Sequence, residues 1–310
     1  MSTIRTRSRN WKTFPKISPM IRAIVQLMRP HQYVKNGFVM LGVVFSHRWD
    51  HSTLLYAGCA FIAFCVIASA VYTLNDILDV ESDRQHPIKC TRPIARGAVS
   101  VRAAWMLLVV LAMLAFTLAA RVSPLTLIFV ATYAVLNIAY SWRLKHIVIL
   151  DVFLISSGFM LRILAGTLGI GINPSQWLLL CGFMLTLFLG FSKRRAELLM
   201  LEKNGNSDRT VTRRVLNDYS AVMLEQFITV GAACTILSYG LYTMSPDTVQ
   251  KHGSMNLIYT LPLVIYGMFR YLFLLHHLSR ANDTARDLFA DRHLLITVLA
   301  WLGLTIGILA

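Results

Sequence analysis

Acidic residues are scarce in this 310-residue chain: it has 15 Asp and Glu against 30 Lys and Arg, which gives a formal net charge of +15. Charged residues of both signs make up only 15% of the sequence, whereas a soluble domain carries about a quarter. So little charge excludes a large soluble domain, and we expect a membrane and not a nucleic acid as the partner of this basic chain.

Paired cysteines are also missing. The five cysteines form no CxxC pair, and four of them lie within apolar runs, where a thiol behaves as a small hydrophobe. A disulfide framework and a zinc site are therefore not expected. The basic N-terminal stretch has no apolar core of the kind that a signal peptide needs.

Long apolar runs are abundant, and 56% of the residues are hydrophobic. The sequence predicts an all-α, polytopic membrane bundle of nine transmembrane helices, because runs of roughly 17–25 apolar residues recur along it. The predicted spans are 37–47, 53–74, 104–120, 124–141, 147–169, 176–191, 219–242, 256–278 and 293–309. The first is short and is expected to begin earlier, within 31–36.

We expect two regions. Residues 1–35 form a basic tail followed by an interfacial amphipathic helix, because Met20, Ile21, Ile24, Val25 and Met28 are spaced as on one helical face. Residues 36–310 form a single transmembrane domain.

The distribution of basic residues predicts the orientation. With a cytoplasmic N-terminus, only Arg48, Arg121 and Lys251 fall outside, and Arg162 and Arg270 fall within spans. The loops at 75–103, 142–146, 192–218 and 279–292 then face the cytoplasm. This places the active-site loops in the cytoplasm and the C-terminus outside.

An acidic cluster follows the second predicted span. Asn75, Asp79 and Asp83 are spaced i, i+4 and i+8, so on a helix they share one face, with Asp76 beside them. Oxygen ligands of this kind suit Mg²⁺, which binds through a few carboxylates together with substrate phosphates. The cluster predicts a metal-assisted diphosphate site at a membrane surface.

Basic residues come directly after the cluster: Arg84, Lys89, Arg92 and Arg96. A Mg²⁺-bound diphosphate needs such cations for its remaining oxygens. The alternative is an ordinary polar loop whose charges pair with one another.

The pattern N-D-x-x-D-x-x-x-D, followed by Arg-Pro and Gly, resembles the first aspartate-rich motif of the UbiA superfamily of intramembrane prenyltransferases. The resemblance implies a bundle that holds a Mg²⁺-diphosphate over a lipid-accessible cavity. It makes Asn75, Asp76, Asp79 and Asp83 the metal-site candidates, with Asp79 and Asp83 as catalytic residues.

One departure from the superfamily pattern concerns the loop after the sixth span, where a second aspartate-rich motif is usual. Here Lys193, Arg194 and Arg195 occupy that region, and no DxxxD occurs. The basic run favours direct binding of further phosphate oxygens, although a positive-inside anchor at the end of a span would also explain it.

Segments 29–36, 140–145 and 193–197 are similar to the polyprenyl-phosphate phosphoribosyltransferase branch of the superfamily. The resemblance implies transfer of 5-phosphoribosyl from 5-phosphoribosyl 1-diphosphate (PRPP) to a polyprenyl (decaprenyl) phosphate in a bacterial cytoplasmic membrane. Diphosphate leaves, and the product supplies the arabinosyl donor of certain cell envelopes. The predicted substrate-binding residues are Lys35, Asn36, Arg84, Lys89, Arg92, Tyr140, Lys145, Asp151, Arg162, Lys193, Arg194 and Arg195.

Two alternatives stay open. An aromatic prenyltransferase would use a polyprenyl diphosphate, but it should carry the second aspartate motif. A transporter is compatible with nine spans, yet no internal repeat is visible. A homo-oligomer is compatible with the sequence, which does not test it.

Two charged residues lie deep in the fifth predicted span. Asp151 and Arg162 are about 16 Å apart along a helix, too far to pair, so each needs another partner. For Asp151 we expect a ribose hydroxyl or a basic side chain. Arg162 either binds substrate or belongs to a buried polar network, and Glu225 is expected to pair with a neighbouring helix.

Overall fold

The structure is a computed structural model, and it describes residues 18–46, 48–86, 89–203, 216, 218–277 and 290–309. These residues form helices joined by turns, and no strand occurs among them. The α-helices are α1 (Pro19–Met28), α2 (Leu41–Ser46), α3 (His51–Leu78), α4 (Val80–Gln85), α5 (Val101–Val122), α6 (Pro124–Trp142), α7 (Leu150–Ala165), α8 (Gln176–Lys203), α9 (Ala221–Met244), α10 (Pro246–His252), α11 (Leu261–His277) and α12 (Arg292–Leu309).

Within the described part of the chain, 8 helices are long and apolar enough to cross a membrane. They correspond to the predicted spans from the second to the ninth, so the all-α membrane bundle is confirmed. Polar side chains begin several of them: Asp50 accepts from the Thr53 N–H, and Ser123 caps α6, which has proline at its first position.

The first predicted span differs from the other eight. It begins at Pro30, as a 3-10 helix over Pro30–Met40, and continues as the six-residue α2. A Cβ on Gly42 would lie 1.9 Å from the Gly166 carbonyl oxygen, and one on Gly166 would lie 1.7 Å from that of Val39. This segment thus packs backbone against backbone on the end of α7, and the count of nine spans stays a prediction.

The amphipathic helix expected before the first span is α1. Met20, Ile21 and Val25 are exposed, whereas Ala23 and Leu27 are buried against α3 and the segment after α4. An exposed apolar face beside a basic residue suits the membrane interface. Residues 1–17 of the predicted tail lie outside the described residues.

Two segments predicted as loops are partly helical. The stretch after α3 contains α4 and a 3-10 turn at Lys89–Thr91, and α8 extends twelve residues beyond the predicted end at 191, to Lys203. The expectation of a loop beginning at 192 was therefore wrong. The basic run lies on a continuous helix, and consecutive residues on a helix point in directions about 100° apart.

The hydrophobic core has two main parts. One surrounds α3 and includes Phe64, Ile67 and Leu111, and the other joins α8, α9 and α11 through residues such as Phe188 and Ile228. Between them lies a large cavity. We call one end of the bundle the polar end; the C-terminal ends of α3 and α6 meet the N-terminal ends of α7 and α9 there.

Candidate active site

The cavity between the two core regions has a volume of about 1110 Å³ and runs through the bundle. Near the polar end its wall carries charged side chains from α3, α8, the 3-10 helix Pro30–Met40 and the segments after α4 and α6, together with polar side chains from α6. Farther in, the wall is apolar and aromatic, with residues such as Phe38, Phe45 and Trp301. A molecule with an anionic head and a long apolar tail matches this division.

The acidic cluster lies at the end of α3. The backbone keeps its i to i+4 hydrogen bonds through Asp79 to Asp83, although the helix is interrupted at Asp79. Asn75, Asp76 and Asp79 line the cavity, and the Asn75 side-chain oxygen accepts a 2.7 Å hydrogen bond from Ser141 on α6.

Asp76 is the most constrained member of the cluster, with 2% of its surface exposed. Its Oδ1 lies 2.6 Å from an Arg29 nitrogen and 3.1 Å from one of Arg92. Its Oδ2 is buried and has no hydrogen-bond partner among the described residues. A buried carboxylate oxygen without a partner is costly, and an incoming cation would compensate it.

Asp83 does not line the cavity. It is buried, and its Oδ2 lies 2.6 Å from Arg92. Asp83 therefore does not share the cavity wall with Asn75 and Asp79, because Arg92 folds back across the cluster and neutralises Asp83. Its predicted metal and catalytic roles stay predictions.

The donor set fits Mg²⁺ of the kind that is bound jointly with a substrate. No group of three or more His, Cys, Asp or Glu residues in the described ranges could hold an ion by itself. Asn75, Asp76 and Asp79 provide oxygens, and Mg²⁺ commonly completes its shell with water and phosphate oxygens.

The three residues of the basic run on α8 face two different directions. Lys193 and Arg194 line the cavity, whereas Arg195 turns away and pairs with Glu225 on α9 at 2.7 Å. This pair confirms the structural role expected of Glu225. A phosphate-binding role for Arg195 finds no support in this geometry, because its guanidinium does not face the cavity.

Arg194 is completely buried and is neutralised on two sides. Its Nε lies 2.6 Å from Asp151 Oδ2, Glu197 accepts from Nη1, and Nη2 donates to the Tyr140 hydroxyl at 3.3 Å. Of the two partners expected for Asp151, the structure shows the basic side chain.

Three further predicted residues lie on the cavity wall near the polar end: Lys35, Lys89 and Lys145. Arg84 does not. It is exposed and pairs with Glu81 three residues earlier, at 3.0 Å, because α4 directs it outwards. The predicted substrate contact of Arg84 is therefore not supported by its position.

Deeper in the cavity, Arg162 is part of a buried polar network. Its guanidinium donates to Asn36 Oδ1 at 2.7 Å, to the Gly158 carbonyl at 2.8 Å and to the Tyr133 hydroxyl at 3.1 Å. It also stacks over Tyr133 and Phe159. Both Arg162 and Asn36 have protein partners here, and only Arg162 lines the cavity.

Sequence reasoning missed four neighbours of the site as functional residues. Arg29 and Glu197 are the counter-ions of Asp76 and Arg194, Ser141 holds Asn75, and the Tyr219 hydroxyl donates to Asp151 at 2.8 Å. Burial and the bond to Asp151 raise the pKa of Tyr219, so it remains a donor. The spacing of Glu197 from Arg194, one turn along a helix, was the available signal for that pair.

Comparison with known proteins identifies the family to which the sequence is related. The sequence model of the UbiA prenyltransferase family matches residues 37–294. Decaprenyl-phosphate phosphoribosyltransferase of Mycolicibacterium smegmatis is 32% identical over 300 residues, which cover 93% of this chain and 92% of that protein. The protein of the same description from Corynebacterium glutamicum is 36% identical over 224 residues, 71% of this chain and 66% of its own.

The fold has solved counterparts. The structure of a UbiA homolog from Archaeoglobus fulgidus bound to GPP and Mg²⁺ superposes with a TM-score of 0.68 at 16% identity and covers 93% of this chain and 99% of that one. At this identity the likeness concerns the fold alone.

Proposed function

Because the chain belongs to the UbiA prenyltransferase family, we propose that it is a transferase that moves 5-phosphoribosyl from PRPP to a polyprenyl phosphate and releases diphosphate. The relatives named as decaprenyl-phosphate phosphoribosyltransferases support decaprenyl phosphate as the acceptor. The product is a lipid-linked phosphoribose, the form in which a membrane pathway can pass a pentose to a cell envelope.

The observation that carries this proposal is the excess of cations at the polar end of the cavity. Only Asp76 and Asp79 supply carboxylates to the described wall there. The cations on the same wall are Arg29, Lys35, Lys89, Arg92, Lys145, Lys193 and Arg194. A prenyl diphosphate brings one anionic group, whereas PRPP brings two phosphate-bearing ends and the acceptor brings a third, so phosphoribosyl transfer uses this surplus better.

The apolar depth of the cavity supports the acceptor. The wall beyond Arg162 carries residues such as Leu178, Val264 and Met268, which offer no hydrogen-bonding side chain. An isoprenoid tail can lie there while its phosphate stays among the cations.

In this mechanism the acidic cluster holds the leaving group. Asn75, Asp76 and Asp79 would hold Mg²⁺, which would supply positive charge to the diphosphate leaving group. Lys89 and Arg92, beside the cluster, bind diphosphate oxygens directly. Since the acceptor phosphate is already an anion, no residue has to remove a proton from it, and catalysis rests on positioning and charge.

The polar end faces the cytoplasm in this proposal, because the basic loops follow the positive-inside pattern and PRPP is a water-soluble donor. A thiol-labelling experiment tests the orientation. With the five native cysteines replaced by serine, a single cysteine introduced at Ser82 should be protected from a membrane-impermeant reagent in intact cells and react after permeabilisation. Labelling in intact cells would reverse the assignment.

The experiment that tests the activity uses purified protein, Mg²⁺, labelled PRPP and decaprenyl phosphate. We expect a labelled lipid product that EDTA prevents and added Mg²⁺ restores. A parallel reaction receives a polyprenyl diphosphate and 4-hydroxybenzoate. Turnover in that reaction, with no labelled lipid in the first, would overturn the proposal in favour of an aromatic prenyltransferase.

A further inference from the structure

The backbone just before α7 is strained. Ile149 has φ 68° and ψ −49°, and it is one of two non-glycine residues with positive φ in the described ranges. The Leu150 N–H donates to the Val148 carbonyl at 2.7 Å, so Ile149 is the centre of a three-residue γ-turn. This is the rarer, strained γ-turn, and a β-branched residue makes it more costly.

One buried hydroxyl holds this turn. The Ile149 N–H donates to the Tyr219 hydroxyl at 2.7 Å, and the same hydroxyl donates to Asp151 Oδ1 at 2.8 Å. Tyr219 precedes α9 and is 4% exposed, and Asp151 is completely buried. Tyr219 therefore fixes both the turn and the first acidic residue of α7.

The connection continues to the cavity wall. The second carboxylate oxygen of Asp151 lies 2.6 Å from Arg194 Nε, and Arg194 lines the polar end of the cavity. The residues that lead into the strained turn include Lys145 and His146, which line the same end. Tyr219 itself is not part of the cavity wall.

We propose that Tyr219 is a positioning residue of the active site. Its hydroxyl clamps the strained turn at Ile149 and orients Asp151, which together set the direction of Arg194 and the place of Lys145 for binding phosphate oxygens of the donor. This inference rests on the proposed function, because it assigns the positioned cations to PRPP.

The strain is the argument for a role beyond packing. Glycine at position 149 would adopt this φ without cost, and the Ile149 side chain is 39% exposed, so no core requires isoleucine there. Strained backbone persists where surrounding contacts over-determine it, and such residues cluster at functional sites. Here the over-determining contact is the Tyr219 hydroxyl.

The first test is Tyr219→Phe in the full chain, which keeps the ring and removes only the hydroxyl. We expect KM for PRPP to rise by about ten- to a hundredfold, since small displacements of positioned groups have effects of this size. KM for the lipid acceptor should change less than about threefold. A KM for PRPP within twofold of the wild type would overturn the proposal.

The second test uses the strain itself. In the double variant Ile149→Gly/Tyr219→Phe, KM for PRPP should be at least about threefold lower than in Tyr219→Phe alone, because glycine forms the turn unaided. No recovery, with kcat and both KM values altered together, would mean that Tyr219 acts only through general stability.

A matched control removes a buried hydroxyl elsewhere. Thr126→Val takes away a fully buried hydroxyl that donates to the Gly169 carbonyl at 3.0 Å, at the opposite end of the bundle and off the cavity wall. We expect its thermal stability to fall while KM for PRPP keeps its wild-type value. A similar rise in KM would overturn the proposal.

Hydrogen exchange separates failure of this inference from failure of the proposed function. If wild-type protein forms no product from PRPP, the proposed function is wrong, but the effect of Tyr219 on the turn can still be measured. Amides of residues 145–153 should exchange faster in Tyr219→Phe than in the wild type and in Thr126→Val. Unchanged exchange rates would contradict the claim that the Tyr219 hydroxyl holds the turn at Ile149.

Discussion

Arg194 and Arg162 both lie buried on the wall of the same cavity, yet different groups stabilise their guanidinium charges. Arg194, near the polar end, contacts two carboxylates, those of Asp151 and Glu197. Arg162, deeper in, contacts only neutral oxygens and aromatic rings and forms no ion pair with any described residue.

The difference follows from the cost of burying charge. Arg194 and Asp151 are both completely buried, so each charge compensates the desolvation of the other, and the pair fixes the direction of Arg194. Deeper in the bundle, a carboxylate near Arg162 would add another ion that has to be desolvated, and neutral oxygens and ring faces stabilise the charge of Arg162 instead. The charges at the polar end therefore suit anion binding, whereas the network around Arg162 stabilises the packing of the deep region.

The largest effect that we expect falls on the polar end. Asp79→Ala should reduce product formation by about a thousandfold or more, because a metal ligand at the leaving group is lost. Thermal stability should hardly change, since no ion pair of Asp79 with a described residue would be broken. Near-normal activity would contradict the metal-site assignment.

Asp83→Ala sharpens the same comparison. Activity should also fall steeply, but here the free energy of unfolding should fall as well, by about 1–2 kcal/mol. This loss is smaller than for a fully buried pair, because Arg92 still pairs with Asp76 and remains in contact with water. Activity and the denaturation midpoint are measured on the same preparation, and an unchanged midpoint would show that the pair with Arg92 contributes nothing.

The next effect compares the two arginines directly. Arg194→Met leaves Asp151 buried without its cation and should cost about 3–5 kcal/mol of stability. The double variant Arg194→Met/Asp151→Asn should be more stable than the single one, because no uncompensated charge remains. Denaturant unfolding in detergent measures both, and an additive result would disprove the coupling.

Arg162→Met should have a smaller effect on stability, about 1–3 kcal/mol, because it orphans only neutral acceptors such as Asn36 Oδ1 and the Tyr133 hydroxyl. The measurement is the same unfolding experiment. A loss as large as that of Arg194→Met would break the comparison, since charge pairing would then not distinguish the two regions.

The smallest effect concerns the start of α12, where Asp291 pairs with Arg270 of α11 at 2.7 Å. The hydrogen bond from Arg270 holds the pKa of Asp291 below its usual range. A lowered folded-state pKa stabilises the protein above the unfolded pKa of about 4, and this contribution is lost as the pH falls towards the folded-state value. Thermal midpoints between pH 6 and 3 should therefore fall more for the wild type than for Asp291→Asn.

Much of the fold was predictable because hydropathy alone identifies helices that must satisfy their own backbone hydrogen bonds in lipid. Eight spans followed from that, and the spacing of apolar residues predicted the amphipathic helix before them. The 3-10 conformation of Pro30–Met40 did not follow from hydropathy; this segment packs on the end of α7 through the contact of Val39 with Gly166, which are distant in sequence.

The site was predictable where one helix carries it. Asn75, Asp76 and Asp79 line the cavity as the spacing indicated. Arg195 points towards α9 and not into the cavity, and the pairing of Asp83 depends on Arg92 folding back; the spacing of these residues along the sequence shows neither contact. Tyr219 gave no signal, since its role comes from a turn seventy residues earlier.

The glycine contact between the 3-10 segment and α7 has a mechanical consequence. Since the Gly42 and Gly166 backbones are already in contact, the two segments cannot approach each other further without a steric clash. If a lipid acceptor enters the cavity, as proposed, we therefore expect the wall that moves to be the opposite one, where α9 and α11 meet through side chains that can change rotamer.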